Sequence, residues 1–264
     1  MLVIGAGPGG CAAALALSRA GWKVVLAERR HYPADKLCGE FLSPEGVESL
    51  ERLGLGEVLG VFPRIGEVLV SSVSGQYWQA PLPTAGVGSS RRRLDALLLD
   101  CCAAAGVEVV QGVKVRRVEG NFEEGFRTAL KGALLRARLV VGAWGKQGGM
   151  KDQVRKKGQL MALKVHACGQ RPGVELHSFP GGYAGLCQVE EGEVNLCLLT
   201  GVDVFRRVGG DCRRFSTEVM AKNPLLADRL AELSPDWDQA LTAANLCFGP
   251  VALQVDGTLL VGAA

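Results

Sequence analysis

The chain opens on three apolar residues, Leu2, Val3 and Ile4, that run straight into Gly5-Ala6-Gly7-Pro8-Gly9-Gly10. A short apolar run closed by glycines predicts a strand buried on both faces, as in a parallel sheet. Residues 11–20 are small and apolar, which predicts a helix lying close against that sheet, with Gly21 as its stop. Residues 23–27 then predict a second strand that ends at Glu28.

Further on, Ser43 and Pro44 mark the N-cap and first position of a helix over 44–53. Residues 65–72 and 76–82 predict a hairpin around Ser74-Gly75. Leucines 94, 97, 98 and 99 predict a half-buried helix over 91–105, ended by Gly106. A short strand over 107–110 follows, then a small antiparallel unit over 114–119, 126–130 and 133–136, and a return to the main sheet at 139–141. From residue 158 the period changes. Four antiparallel strands are expected at 160–167, 174–178, 183–189 and 194–200, followed by helices at 211–220 and 224–233 and a last strand at 259–261.

The pattern is that of an α/β chain, α+β overall, in two parts. A Rossmann-type dinucleotide-binding domain with a parallel sheet takes 1–64, 90–157 and 245–264. A substrate domain built on an antiparallel sheet takes 65–89 and 158–244. Both ends read as clipped, since the chain starts inside its first strand and stops just after its last.

The opening glycines carry the chemistry. Gly5 permits a tight turn, Gly7 lets the backbone approach a pyrophosphate, and Gly10 lets the helix pack on the strand. The helix N-terminus offers amide groups and the positive end of its dipole to the phosphates. Glu28 suits the hydroxyls of a ribose. A GxGxxG alone is weak evidence, but here the strand, turn, helix and second strand all surround it.

Composition narrows the class. The chain has 264 residues, 48% of them hydrophobic, enough for a sizeable core. A net charge of +3 and 6% aromatic residues give no argument for nucleic acid. The cluster Lys146, Lys151, Arg155, Lys156 and Lys157 reads as a solvated loop. Nine cysteines without a CxxC pair read as reduced thiols, and no apolar run reaches the ~20 residues that span a bilayer. A cytoplasmic location is expected, with peripheral membrane contact left open. His166 and Cys168 lack the second pair that zinc needs and read as ordinary strand residues, so no metal is expected. There is no GxSxG, no HExxH and no Walker loop.

Several separated segments resemble the flavoprotein monooxygenase superfamily, in the branch of geranylgeranyl reductases and flavin-dependent halogenases. They are GAGPGG with Glu28-Arg29, DKLCGEFLSPEG over 35–46, RRRLDALLLD over 91–100, LVVGAWGKQG over 139–148, FPGGYAGL over 179–186, and the closing DGTLLVGAA. The resemblance implies bound FAD, with NADPH or NADH as a transient reductant that has no Rossmann domain of its own. It implies that Gly5, Gly7 and Gly10 hold the pyrophosphate and Glu28 the adenosine ribose, that Pro8, Gly9 and Arg29 also bind the cofactor, and that Arg91 lies along it. Cys38 and Gly39 would sit beside the isoalloxazine ring, with Tyr183 lining the substrate pocket and Cys38 and Tyr183 nearest the chemistry. Gly262 keeps the family's last glycine. Two positions depart from the pattern: Trp144-Gly145 stands where the family has Asp-Gly, and Gly262-Ala263 where it has Gly-Asp. A lost charge-assisted hydrogen bond costs ~1.5 to 3 kcal/mol.

The function expected is that of an FAD-dependent oxidoreductase that reduces or hydroxylates a largely apolar small molecule, isoprenoid- or polyketide-like. The alternatives are a degenerate, non-catalytic flavin-binding protein, which Trp144 and Ala263 favour, and an NAD(P)-dependent Rossmann dehydrogenase, which the long antiparallel part disfavours.

Overall fold

The computed structural model describes residues 1–145, 158–246, 248 and 252–262. The lysine- and arginine-rich cluster over 146–157, and Ala263, lie outside the described residues. Contacts divide the chain into two units, Met1–Ala34 with Arg92–Arg155 and Gly249–Ala264, and Asp35–Arg91 with Lys156–Phe248.

The first unit is built on a six-stranded sheet in the order Gln254–Val255, Thr258–Leu260, Val140–Gly142, Leu2–Ile4, Val25–Ala27, Glu108–Val110. All neighbours pair in parallel except the first, an antiparallel edge. The apolar Leu2, Val3 and Ile4 are buried because the central strand of a parallel sheet is covered on both faces. The helix Pro8–Arg19 begins earlier than the small-residue run suggests, since Gly7 is its N-cap and Pro8 its first residue. Gly10, Cys11, Ala14 and Leu15 form its buried side. The helix Arg91–Ala104 buries Leu94, Leu98 and Leu99 as expected, with Asp95 and Cys102 beside them, while Leu97 is half-buried.

A three-stranded antiparallel sheet, Glu119–Asn121, Gly125–Leu130 and Ala133–Ala137, adds Phe126 and Leu130 to the core formed by Leu2, Ile4, Ala27, Val110 and Val140. The strand expected over 114–119 is reached only at Glu119, and residues 114–118 form no strand. There the chain is held by single bonds, Val113 N–H to Glu28 O and Thr128 Oγ1 to Arg117 O, rather than by a ladder.

The second unit is built on an eight-stranded sheet in the order Leu241–Leu246, Leu160–Cys168, Glu193–Gly201, Gly182–Gln188, Val174–Phe179, Arg64–Ser71, Tyr77–Gly88, Phe41–Leu42. The four strands read from alternation are present. What alternation did not give is the parallel pairing of Val174–Phe179 with Arg64–Ser71, which joins the hairpin to them, and the strand Leu241–Leu246 at the far edge. Residues 35–64, read with the dinucleotide domain from sequence, group with this second unit, because Phe41–Leu42 pairs with Tyr77–Gly88.

Successive residues of these strands face opposite ways. On one face Leu163, Val165, Ala184, Leu186, Leu196 and Leu198 pack against Phe215, Met220, Leu226 and Leu230 of the helical layer. Apart from Ala184, each such side chain contributes ~1.5 to 3 kcal/mol of burial. The other face presents Lys164, His166, Asn195, Cys197, Tyr183 and Leu176.

Candidate functional site: a dinucleotide cradle and a polar turn

In the first unit the carboxyl ends of four strands converge, and each contributes to one concave edge. Gly5 follows Ile4, Glu28 follows Ala27, Trp144 lies two residues after Gly142, and Gly262 two after Leu260. This is the crevice where parallel open sheets bind ligands. Gly5, at φ 104°, and Gly10 are required by the turn itself: a Cβ on Gly5 would lie 2.3 Å from Ala143 O, and one on Gly10 would lie within bonding distance of Gly5 O. Gly9 approaches Gly262, whose own Cβ position, at φ 67°, is open. The helix Pro8–Arg19 has no side-chain cap at Gly7, so its N-terminus faces the crevice without a competing acceptor of its own.

Glu28 is buried and fixed. Its Oε2 accepts from the Ala6 N–H at 2.8 Å and its Oε1 from the Arg30 N–H at 3.0 Å. Tyr32 completes the corner, its hydroxyl 2.9 Å from Ala6 O and 3.3 Å from Glu28 Oε2. Sequence reading missed Tyr32, which lies in a polar connection without periodicity. Arg29 is exposed beside this corner. Trp144 turns its indole back onto Gly142 and the core around Leu2 and Val140, so it serves as apolar packing. The cradle fits a dinucleotide: glycines where the chain crosses itself, an open helix start, and an acceptor held at the next strand's end.

In the second unit the turn Cys38-Gly39-Glu40 is pinned by its own polar contacts. Glu40 sits at φ 57°, a conformation costly for any side chain but Gly, and its carboxylate is fully buried. Oε1 accepts from Lys164 Nζ at 2.5 Å and from the Arg91 N–H at 2.8 Å, and Oε2 lies 2.6 Å from His166 Nε2. Lys164 Nζ also reaches Lys36 O at 3.4 Å and Asp35 Oδ1 at 3.7 Å. Asn195 Nδ2 donates to Cys38 O at 3.0 Å, and the Glu40 N–H donates to Cys38 Sγ at 3.5 Å. A Cβ on Gly39 would meet nothing within 4 Å, so this face of the turn is open. Burial first, then the charges of Glu40 and Cys38, push the Cys187 thiol up to about 12. Burial, then Cys38, push Cys197 to about 12 as well, against the opposing charge of Lys164.

The structure thus places Cys38, Gly39 and the Arg91 backbone in one cluster. Tyr183 stands apart from it, exposed on the strand Gly182–Gln188. Glu40, Lys164 and Asn195 were not singled out from sequence. His166, read as an ordinary strand residue, touches two carboxylates, Nε2 on Glu40 and Nδ1 on Glu193. The available signal was a Lys and a His two apart in an otherwise apolar strand.

A second buried network lies on the helical face. His177 Nδ1 is 2.8 Å from Ser71 Oγ, and its Nε2 is 2.8 Å from Glu175 Oε2. The composition is that of a hydrolytic triad, but Ser71 is buried and its oxygen also accepts from Asn223 Nδ2 at 2.7 Å. Asn223 caps the helix Pro224–Leu233 through the Leu226 N–H. The network ties that helix to two strands and leaves no nucleophile. Burial raises the Glu175 carboxyl, yet the hydrogen bond from His177 and the charge and hydrogen bond of Arg229 outweigh it and hold the group below its ordinary value.

A glycine-bearing crevice with a fixed acidic corner, joined in one chain to a large mixed sheet, defines a dinucleotide-dependent protein of two-unit build. The chain belongs to the FAD binding domain family, whose model matches residues 1–167. It is 34% identical over 118 residues to a menaquinone reductase of Mycobacterium tuberculosis, which covers 43% of this chain and 29% of that protein. It is 27% identical over 287 residues to digeranylgeranylglycerophospholipid reductase 2 of Methanopyrus kandleri, covering 99% of this chain and 69% of the relative. Among solved structures, the myxobacterial chondrochloren halogenase CndH superposes with a TM-score of 0.80 at 21% identity, over 99% of this chain and 67% of that one. Pseudomonas aeruginosa PqsL superposes with a TM-score of 0.77 at 19% identity, over 98% and 77%. The fold is that of FAD-dependent halogenases and monooxygenases. The chain spans less than a third of the length of the menaquinone reductases it matches.

Proposed function

We propose that this chain is the catalytic part of an FAD-dependent oxidoreductase that takes electrons from NADH or NADPH and reduces carbon–carbon double bonds in an isoprenoid-bearing lipid. One observation carries the substrate class. On the sheet face opposite the helices, Trp78, Val70 and Leu176 stand side by side on three adjacent strands, with Tyr183 diagonal to Leu176, and all four are exposed. A contiguous apolar surface of this kind is where a greasy chain lies. The relatives act, by their names, on menaquinone and on a digeranylgeranyl lipid, which agrees with such a surface.

Within this reading Gly5, Gly7, Pro8, Gly9, Gly10 and Gly262 approach the pyrophosphate and Glu28 the adenosine ribose. Arg91 lies along the cofactor. Bound FAD supplies hydride transfer. The turn at Cys38-Gly39 gives close backbone approach, and Tyr183 with the apolar face orients the substrate and keeps water away. The reaction is placed in the cytoplasm, with peripheral membrane contact where the lipid is taken up.

The test is anaerobic incubation of the full-length protein with FAD, NADPH and a geranylgeranyl glycerolipid. The expected product has gained two hydrogens per double bond. Gain of one oxygen atom, only in air, identifies a hydroxylase instead. A protein that holds FAD yet is not reduced by NADH or NADPH is a non-catalytic flavin binder, the reading that Trp144 favours.

A further inference from the structure

Three side chains in the second unit form a line from its surface to its interior. Glu193 Oε2 lies 3.2 Å from His166 Nδ1, and His166 Nε2 lies 2.6 Å from Glu40 Oε2. Exposure falls along the line from 45% at Glu193 through 19% at His166 to 0% at Glu40. At the inner end Glu40 meets Lys164, and Lys164 meets Asp35. Among the described residues, the thiols of Cys187 and Cys197 also feel the charge of Glu40, and Cys38 Sγ accepts from the Glu40 N–H.

Hydrogen-bond arithmetic gives this line a property. A carboxylate only accepts, and a neutral imidazole has one N–H. A neutral ring between two carboxylates therefore closes one contact and turns a lone pair on the other. Both contacts close when the trio holds one further proton, and imidazole is more basic than a carboxylate. His177 is the internal contrast. Its partners are Glu175 and the Ser71 hydroxyl, and since Ser71 can donate, a neutral ring closes both ends. Beside the line, cross-strand from His166, stands buried Asn195, whose Oδ1 has no partner among the described residues. A buried acceptor of this sort is where an ordered water extends a network.

We propose that Glu193, His166 and Glu40 are a proton relay that links solvent to the buried Glu40–Lys164 pair and supplies the proton consumed in alkene reduction. The proposal rests on the reduction described above. In that reaction bound reduced FAD would supply the hydride to one alkene carbon, and the relay would give the proton to its neighbour. The π bond is replaced by two C–H bonds, the flavin is left oxidised until NADPH reduces it again, and the relay regains its proton from water through Glu193.

Two measurements on the full chain with FAD separate the relay from the reaction. The first is nitrogen-15 correlation of the imidazole rings of its three histidines, assigned with His166→Gln. The expected wild-type pattern has protons on both ring nitrogens of His166 and on one nitrogen of His177. In Glu193→Gln, whose amide can donate to Nδ1, His166 is expected to show one. A wild-type His166 with a single ring proton, unchanged in Glu193→Gln, overturns the relay. The second is anaerobic single-turnover kinetics. His166→Gln is expected to leave flavin reduction by NADPH unchanged and to slow alkene-dependent reoxidation about a hundredfold, the scale of general acid catalysis. Equal reoxidation rates overturn the relay. A wild type whose reduced flavin is not reoxidised by the alkene, while the two-proton ring is kept, sinks the reaction assigned above and leaves the relay supported.

Discussion

Ala6 and Glu28 are joined across 22 positions of sequence by a buried hydrogen bond of 2.8 Å, from the Ala6 N–H to the carboxylate. The contact locks the glycine turn to the end of the second strand, so the loop proposed to meet the phosphates and the carboxylate proposed to meet the ribose form one rigid corner. Replacing Glu28 with Ala removes both the acceptor and the lock. A loss of about 1.5 to 3 kcal/mol is expected for the charged hydrogen bonds, or roughly one to two decades in FAD affinity. Flavin content after purification, with circular dichroism to confirm the fold, reads this out.

Two glycines should respond in opposite ways to the same change. In Gly10→Ala the new methyl collides with Gly5 O, and the fold loses about 1 to 3 kcal/mol or more. In Gly39→Ala the methyl enters open space, so the melting temperature holds while turnover falls. A Gly39→Ala protein with wild-type turnover removes that turn from the site.

Much of this was legible beforehand, because it is local. Strand, glycine turn, helix and acidic strand end lie within the first 28 residues and obey one period each. The four strands from Leu160–Cys168 to Glu193–Gly201 likewise announce themselves by alternation. What was hidden depends on pairing between distant segments. The Glu40–Lys164 contact spans 124 positions and Ser71–His177 spans 106. Nothing in the sequence near Glu40 says that a lysine and a histidine will meet it, and a lone His in an apolar strand looks the same whether it packs or pairs. The segment 114–119 differs in its bounds: its alternation is real, but pairing with Gly125–Leu130 begins only at Glu119, and Arg117 O is taken by the Thr128 side chain.

Glu175 makes stability depend on pH in a defined direction. Its folded value lies below the unfolded one, which is about 4.3. The stabilisation is therefore complete above that unfolded value and fades as pH falls through the lower, folded one. Glu175→Gln is expected to cost about 3 kcal/mol at neutral pH, since it strands Arg229 beside a buried neutral group. The gap between wild type and variant in urea denaturation should shrink toward pH 3. A gap constant with pH would contradict the assignment.

The thiols divide by burial. Cys187 and Cys197, both pushed up to about 12 chiefly by burial, should resist alkylation in the folded protein at pH 8. Exposed Cys168 should label first. Mass spectrometry after timed alkylation gives the order, and early modification of Cys187 or Cys197 would show that this side of the sheet opens.

Titration calorimetry of the full-length, flavin-stripped protein with FAD is the most direct test of the cradle. Saturable uptake of one FAD per chain, with NADH and NADPH alone giving no comparable binding, is the expected result. Heat from a nicotinamide dinucleotide but none from FAD, or none from either, would contradict it.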